Sequence, residues 1–269
     1  MLKKLAIRTR TWLASCLLFV CLLILLKTDT IKRGPATAGL ALRVTWFNKN
    51  VFWYCRQKNT FALTFDDEIV GSVRKAMKTL RKRNVPATFY LIGKQALQQK
   101  QLVRELDEDS LFMVASHTYS HRDLAMVPSR SDALQEIEMG FESLRNVTGK
   151  RYRHIRPPYV KMDSFGLLEN SNYSVDLFSL SVNDWKLNYE VKKQNLSHKQ
   201  ASTKLTKRLI SDLWYEMRFF LSSRGLIYLG HARALIYDAL PEFLDYIQSE
   251  LPDTKFIRMD ECTGIPETF

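Results

Sequence analysis

The chain has 269 residues, 46% of them hydrophobic and 25% charged, and carries a net charge of +12. This is the composition of an ordinary globular protein with one unusual end, and it excludes a low-complexity chain. Residues 1–33 hold seven Lys/Arg and one Asp, so half of the excess charge sits there, and no motif or aromatic array makes nucleic acid an expected partner.

Residues 1–10 form a basic tail, followed by sixteen uncharged residues, TWLASCLLFVCLLILL, closed by Lys27. An uncut span needs about 17–25 apolar residues, fewer in thin membranes. The small-x-small triplet Ala36-Thr37-Ala38 lies too far downstream for efficient cleavage. Residues 11–27 are therefore expected to be a transmembrane signal anchor, with the tail cytoplasmic and the rest lumenal or extracellular. A cleaved signal peptide, giving a secreted protein, is the first alternative and a buried core helix the second. Residues 28–50 read as a stem and 51–269 as one domain.

Export is also suggested by sequons at Asn146, Asn172 and Asn195. Cys16 and Cys21 fall inside the apolar segment, which leaves Cys55 and Cys262, near the two ends of the domain, as the expected disulfide, with two unpaired thiols as the alternative.

From residue 60 onward, strand and helix patterns alternate. TFALTFDD is a strand and 71–83 a helix with Val73, Met77 and Leu80 on one face; PATFYLIG is a strand and 94–107 a helix; LFMVASH is a third strand. A long helix repeats Leu134, Ile137, Phe141 and Leu144. A short strand at 152–156, a weak helix near 164–169, a strand SVDLFSLSV and a helix over 199–223 follow. The strand GLIYLGH, a helix over 235–250 and a last strand KFIRM complete the domain. Seven parallel strands closed into a distorted or incomplete (β/α) barrel are expected, since no Gly-rich nucleotide turn follows the first strand.

Polar residues collect where strands end. Asp66 and Asp67, with Glu68 beside them, close the first strand; adjacent carboxylates repel unless a cation holds them. His117 and His121 follow the third strand at a spacing that puts both rings on one face of a helical turn, as a shared metal requires. Arg156-Pro-Pro-Tyr159, Asp184-Trp185 and His231 end later strands. Taken singly, each has an ordinary reading: a helix cap, a surface turn, a buried Trp, a satisfied core histidine. His154 and His198 have no comparable setting and read as structural.

Together these segments resemble the polysaccharide deacetylases of carbohydrate esterase family 4, the NodB-homology domain that includes chitin deacetylases. The matching motifs are Thr64-Phe65-Asp66-Asp67-Glu68, His117-Thr118-Tyr119-Ser120-His121, Arg156-Pro157-Pro158-Tyr159-Val160, Asp184-Trp185 and Leu229-Gly230-His231-Ala232. The resemblance implies that Asp67, His117 and His121 bind a divalent metal, Zn²⁺ or Co²⁺ by ligand type. It implies that Asp66 is the general base held by Arg156, and that His231 is the general acid kept cationic by Asp184. The Tyr159 N–H would stabilise the oxyanion, and Trp185 and Leu229 would wall an acetyl pocket. The implied partner is an N-acetylated glycan, which would yield acetate and a free amino sugar.

Glu68, Val160 and Ala232 stand where the family motifs have Gly, Gly and Asp. The two lost glycines point to a reshaped groove and altered specificity, or else to an inactive homologue that binds glycan. A type II glycosyltransferase, with Mn²⁺ at the acidic cluster, is a third reading, against which the three histidines argue.

Overall fold

The computed structural model describes residues 50–67, 69–160, 166–168, 171–181, 184, 197–216, 224–231 and 234–269. The expected anchor and stem lie outside them, as do Glu68, Trp185, Asn195 and Ala232. Among the described residues no helix is long and apolar enough to cross a membrane.

Among the described residues, nine strands form one sheet: β1 Val51–Phe52, β2 Thr60–Asp67, β3 Ala87–Leu91, β4 Phe112–Ser116, β5 His154–Ile155, β6 Ser174–Asp176, β7 Leu180–Ser181, β8 Leu226–His231 and β9 Lys255–Ile257. The order is β1-β6-β5-β4-β3-β2-β8-β7, with β9 pairing β2 over Thr60–Ala62, and every pairing is parallel. The result is a curled, incompletely closed barrel, as the sequence pattern predicts.

Helices α1 Val73–Arg83, α2 Gly93–Ala96, α3 Lys100–Asp107, α4 Arg130–Thr148, α5 His198–Glu216 and α6 Ala234–Glu250 flank the sheet, and a short α7, Met259–Thr263, packs into its inner core. Period-2 alternation sorts the strand residues between two cores. Ala62, Tyr90, Met113, Ala115, Ile227 and Ile257 fill the inside with Met259 and Cys262 of α7. Phe61, Phe65, Phe89 and Phe112 face outward, where Phe61 meets Phe243 and Phe65 meets Tyr237, both of α6.

Several expectations need correction. SVDLFSLSV is two strands, because β6 pairs with β5 and β1 while β7 joins β8 at the far end of the order. The helix expected over 94–107 breaks at Gln99, which leaves helical geometry (φ −115°, ψ 38°). The last strand stops at Ile257 because α7 begins at Met259. The helix near 164–169 and the end of the one over 199–223 fall largely outside the described residues.

Cys55 and Cys262 are bonded as expected, across 207 residues of sequence and with 4.4 Å between their Cα atoms. Gly225 makes room for this closure: a Cβ there would stand 2.6 Å from that of Cys55 and 2.5 Å from the Gln57 carbonyl oxygen.

A polar cluster lies inside the barrel beside β6. The Asp176 carboxylate accepts hydrogen bonds from Tyr90 Oη (2.6 Å), Ser174 Oγ (2.6 Å) and His154 Nδ1 (2.8 Å). His154 Nε2 lies 2.9 Å from the Ile265 carbonyl, which can only accept. With an acceptor at each nitrogen, the ring sits as an imidazolium. Burial opposes that charge, but Asp176 and the Ile265 carbonyl outweigh it and raise the pKa above an ordinary histidine value. His154 is structural, as its sequence setting suggests.

Two predictions follow from this architecture. Cys55→Ser with Cys262→Ser lowers unfolding free energy by about 2–5 kcal/mol, measured by denaturant titration; an unchanged midpoint would contradict the bridge. The raised folded pKa of His154 makes its contribution complete below the unfolded value of about 6.5 and lost as pH rises through the folded value. Thermal stability should therefore decline on the alkaline side. His154→Gln should flatten that decline while costing about 3–5 kcal/mol at neutral pH, since it leaves Asp176 unpaired. A decline identical in both proteins would refute the assignment.

Candidate active site and metal centre

The site lies at the C-terminal ends of the strands, where parallel barrels place loops of free geometry. Alternation along β2 puts Ala62, Thr64 and Asp66 on the inner face and would send Asp67 outward. Asp67 instead adopts φ 84° at the end of the strand. That left-handed turn, which Asp tolerates better than most residues, brings its carboxylate to the same side as Asp66.

The segment after β4 is not a helical turn but an irregular loop in which Thr118 (φ 64°) and His121 (φ 62°) are both left-handed. The two rings nevertheless converge, with centroids 4.8 Å apart. Asp67 Oδ1 lies 3.2 Å from His121 Nε2 and 3.6 Å from His117 Nε2. The three donor atoms fall within 4.8 Å of one another, the one such cluster found among the described residues.

This donor set fits a divalent ion. Ligand atoms each about 2.0–2.2 Å from a shared ion lie roughly 3–3.6 Å apart, as the Asp67–histidine distances do. The tautomer of His117 is fixed as well: its Nδ1 lies 2.6 Å from the Arg156 carbonyl, so Nδ1 carries the proton and the Nε2 lone pair faces Asp67. A lone pair aimed at a carboxylate calls for a cation between them.

Asp66 is buried and answered by Arg156, whose Nη1 donates to Asp66 Oδ1 (2.6 Å) and Thr64 Oγ1 (2.8 Å). The guanidinium is wholly buried, donates from Nε to the Asp176 carbonyl (2.9 Å) and from Nη2 to the Leu177 carbonyl (2.9 Å), and lies 4.1 Å from the Tyr90 ring centroid. Burial opposes its charge, and the Asp66 carboxylate heads the groups that outweigh it.

On the next strand, His231 is the register partner of Asp66. Asp184 accepts from the His231 backbone N–H at Oδ2 (2.9 Å) and from Nδ1 at Oδ1 (2.7 Å), which fixes both the ring and its tautomer. Burial disfavours the charged ring, but the Asp184 hydrogen bond and charge, with Asp66 and Asp67 beyond, raise its pKa.

Tyr159 sits at φ 60°, ψ 0°, with its exposed ring 5.0 Å from that of His121. Val160 follows at φ 46°, a region costly for a β-branched residue and natural for the glycine of the matching motif. Leu229 is buried on the same face of β8 as His231. Asn146 and Asn172 are exposed, whereas Asn195 and Trp185 lie outside the described residues.

Sequence reasoning missed Thr64, Tyr90, Asp176 and Glu136. Asp176 carried a signal as the one charged residue in SVDLFSLSV, and Thr64 as a polar residue between the apolar Leu63 and Phe65. Tyr90 carried none, because an aromatic residue in a strand is unremarkable by itself.

Residues 54–173 match the polysaccharide deacetylase family. A peptidoglycan-N-acetylglucosamine deacetylase from Bacillus cereus is 30% identical over 152 residues, 53% of this chain and 53% of that protein. A chitin deacetylase from Colletotrichum lindemuthianum is 28% identical over 219 residues, 78% of this chain and 82% of that one. Among solved structures, a chitin deacetylase from Colletotrichum lindemuthianum superposes with a TM-score of 0.67 at 20% identity, covering 80% of this chain and 92% of the other. The match spans about half the length of the Bacillus cereus relative. The resemblance read from the motifs therefore holds, and the fold is shared.

Proposed function

We propose that this homologue of the polysaccharide deacetylases is a metal-dependent hydrolase that removes N-acetyl groups from N-acetylglucosamine-containing glycans of the chitin type. One observation carries the reading. Asp66 with Arg156, and His231 with Asp184, stand as register partners on adjacent strands beside the Asp67/His117/His121 donor set. A base with its cation and an acid with its carboxylate are what amide hydrolysis needs on the two sides of one carbonyl.

A divalent ion, Zn²⁺ or Co²⁺, held by Asp67, His117 and His121 would supply Lewis-acid activation of the acetyl carbonyl and of the attacking water. Asp66, held by Arg156, accepts the proton from that water as its oxygen bonds to the acetyl carbon. His231, kept charged by Asp184, gives its Nε2 proton to the sugar nitrogen as the C–N bond breaks. Acetate and a free amine result. The Tyr159 N–H, offered by a left-handed turn, stabilises the oxyanion. Leu229, with Trp185, walls the acetyl group. The strained Val160 supports a groove reshaped relative to the motif, and hence a specificity of its own. The N-terminal apolar run and the Cys55–Cys262 disulfide support a type II membrane protein of the secretory pathway or cell surface, with its catalytic domain outside the cytoplasm and its sequons open to glycosylation.

Acetate release from N-acetylglucosamine oligomers by the full chain with added Zn²⁺ or Co²⁺ tests this. Asp66→Asn and His231→Ala should each lower kcat by about 10²–10⁴-fold while leaving metal binding intact. Undiminished release in either variant would overturn the roles. No release by the parent chain, with metal bound, would favour a glycan-binding homologue instead.

A further inference from the structure

The loop that carries the two histidines has no ladder or helix of its own, yet it must present both rings to one cation. His117 is fixed directly, through the Arg156 carbonyl at its Nδ1. His121 is not: its ring is partly exposed and meets the Asp67 carboxylate and the rings of His117 and Tyr159. Its position is inherited from the backbone just before it.

That backbone is gripped residue by residue. The Gly93 and Lys94 N–H groups donate to the Thr118 and Tyr119 carbonyls at 2.9 and 2.8 Å, and the Tyr119 N–H donates to the Glu136 carbonyl at 3.0 Å. The Glu136 side chain, buried on α4, completes the set: Oε2 accepts from the Ser120 N–H (2.9 Å) and Oε1 from the Ser120 hydroxyl (2.6 Å). Two donors from one residue converge there, and an ionised carboxylate meets both with charge-assisted bonds. Arg122 Nε stands 3.9 Å from the same carboxylate. One turn further along α4, Gly140 lets the helix reach the loop; a Cβ there would lie 2.7 Å from the Thr118 carbonyl carbon and 2.8 Å from its Cα.

We propose that Glu136 is a positioning residue for the metal centre, holding Ser120 so that the left-handed His121 presents its Nε2 beside that of His117. Glu136 touches no ligand atom and acts only through the Ser120 backbone and hydroxyl. The inference rests on the metal reading above and concerns affinity for the ion, not the chemical step.

The test is the Kd of the full chain for Zn²⁺ by competition with a chromophoric chelator, and the d–d spectrum of the Co²⁺ form. Glu136→Ala should weaken Zn²⁺ by about 10–100-fold, whereas Glu136→Gln, which can satisfy both Ser120 groups if the hydroxyl turns to accept, should stay within about threefold. The Co²⁺ spectrum should change in the Ala variant and not in the Gln variant. Val147→Ala, a core truncation on the same helix, should lower the apo-protein Tm and leave the Kd unmoved. Unaltered Zn²⁺ affinity in Glu136→Ala, or an equal loss in Val147→Ala, would overturn the proposal. A parent chain that binds no Zn²⁺ would overturn the metal reading itself, and this inference with it.

Discussion

The buried guanidinium of Arg156 is the interaction on which the site depends. It is fully enclosed, so each of its donors needs an acceptor. The acceptors it finds are Asp66, Thr64 and the carbonyls of Asp176 and Leu177. Its own carbonyl accepts from His117. One residue thus holds the proposed base with its side chain and sets the tautomer of a proposed metal ligand with its backbone. Removing it would leave Asp66 buried without its cation, at a cost of about 3–5 kcal/mol.

Around that cation the fold alternates charges: Asp66 against Arg156, Asp176 against His154, Asp184 against His231. The Asp67 carboxylate is left to face two imidazoles, one of which, His117, turns its lone pair toward it. The electrostatic pattern therefore leaves room for a positive charge at that one point. Left-handed backbone at Asp67, Thr118, His121, Tyr159 and Val160 accompanies this arrangement. Such strain persists where surrounding contacts over-determine it, and it collects at functional sites.

Much of this was legible in the sequence because strand-end polar residues break an apolar period. The pairs Asp66–Arg156 and Asp184–His231 and the Asp67/His117/His121 grouping were implied by the family resemblance of the strand-end motifs, and the Cys55–Cys262 bridge followed from elimination. What was not legible depended on backbone conformation. A helical turn was expected at His117–His121, yet two left-handed residues perform the same convergence, and no residue pattern there encodes φ. The split of SVDLFSLSV was hidden because no Gly or Pro interrupts the run and only the path across the barrel separates its halves. Glu136 was hidden for a related reason: on α4 it reads as one more solvated carboxylate, until the loop folds back over it. The glycosyltransferase reading loses ground to geometry, since His117 and His121 both turn onto Asp67.

The central claim is that one carboxylate and two imidazoles form a single divalent-ion site. The direct measurement is metal content of the full chain by mass spectrometry after equilibration with Zn²⁺, together with Zn X-ray absorption to identify the ligands. The account predicts one Zn²⁺ per chain with two imidazole ligands, lost in both Asp67→Ala and His117→Ala. Full occupancy in either variant, or no bound zinc in the parent chain, would contradict it.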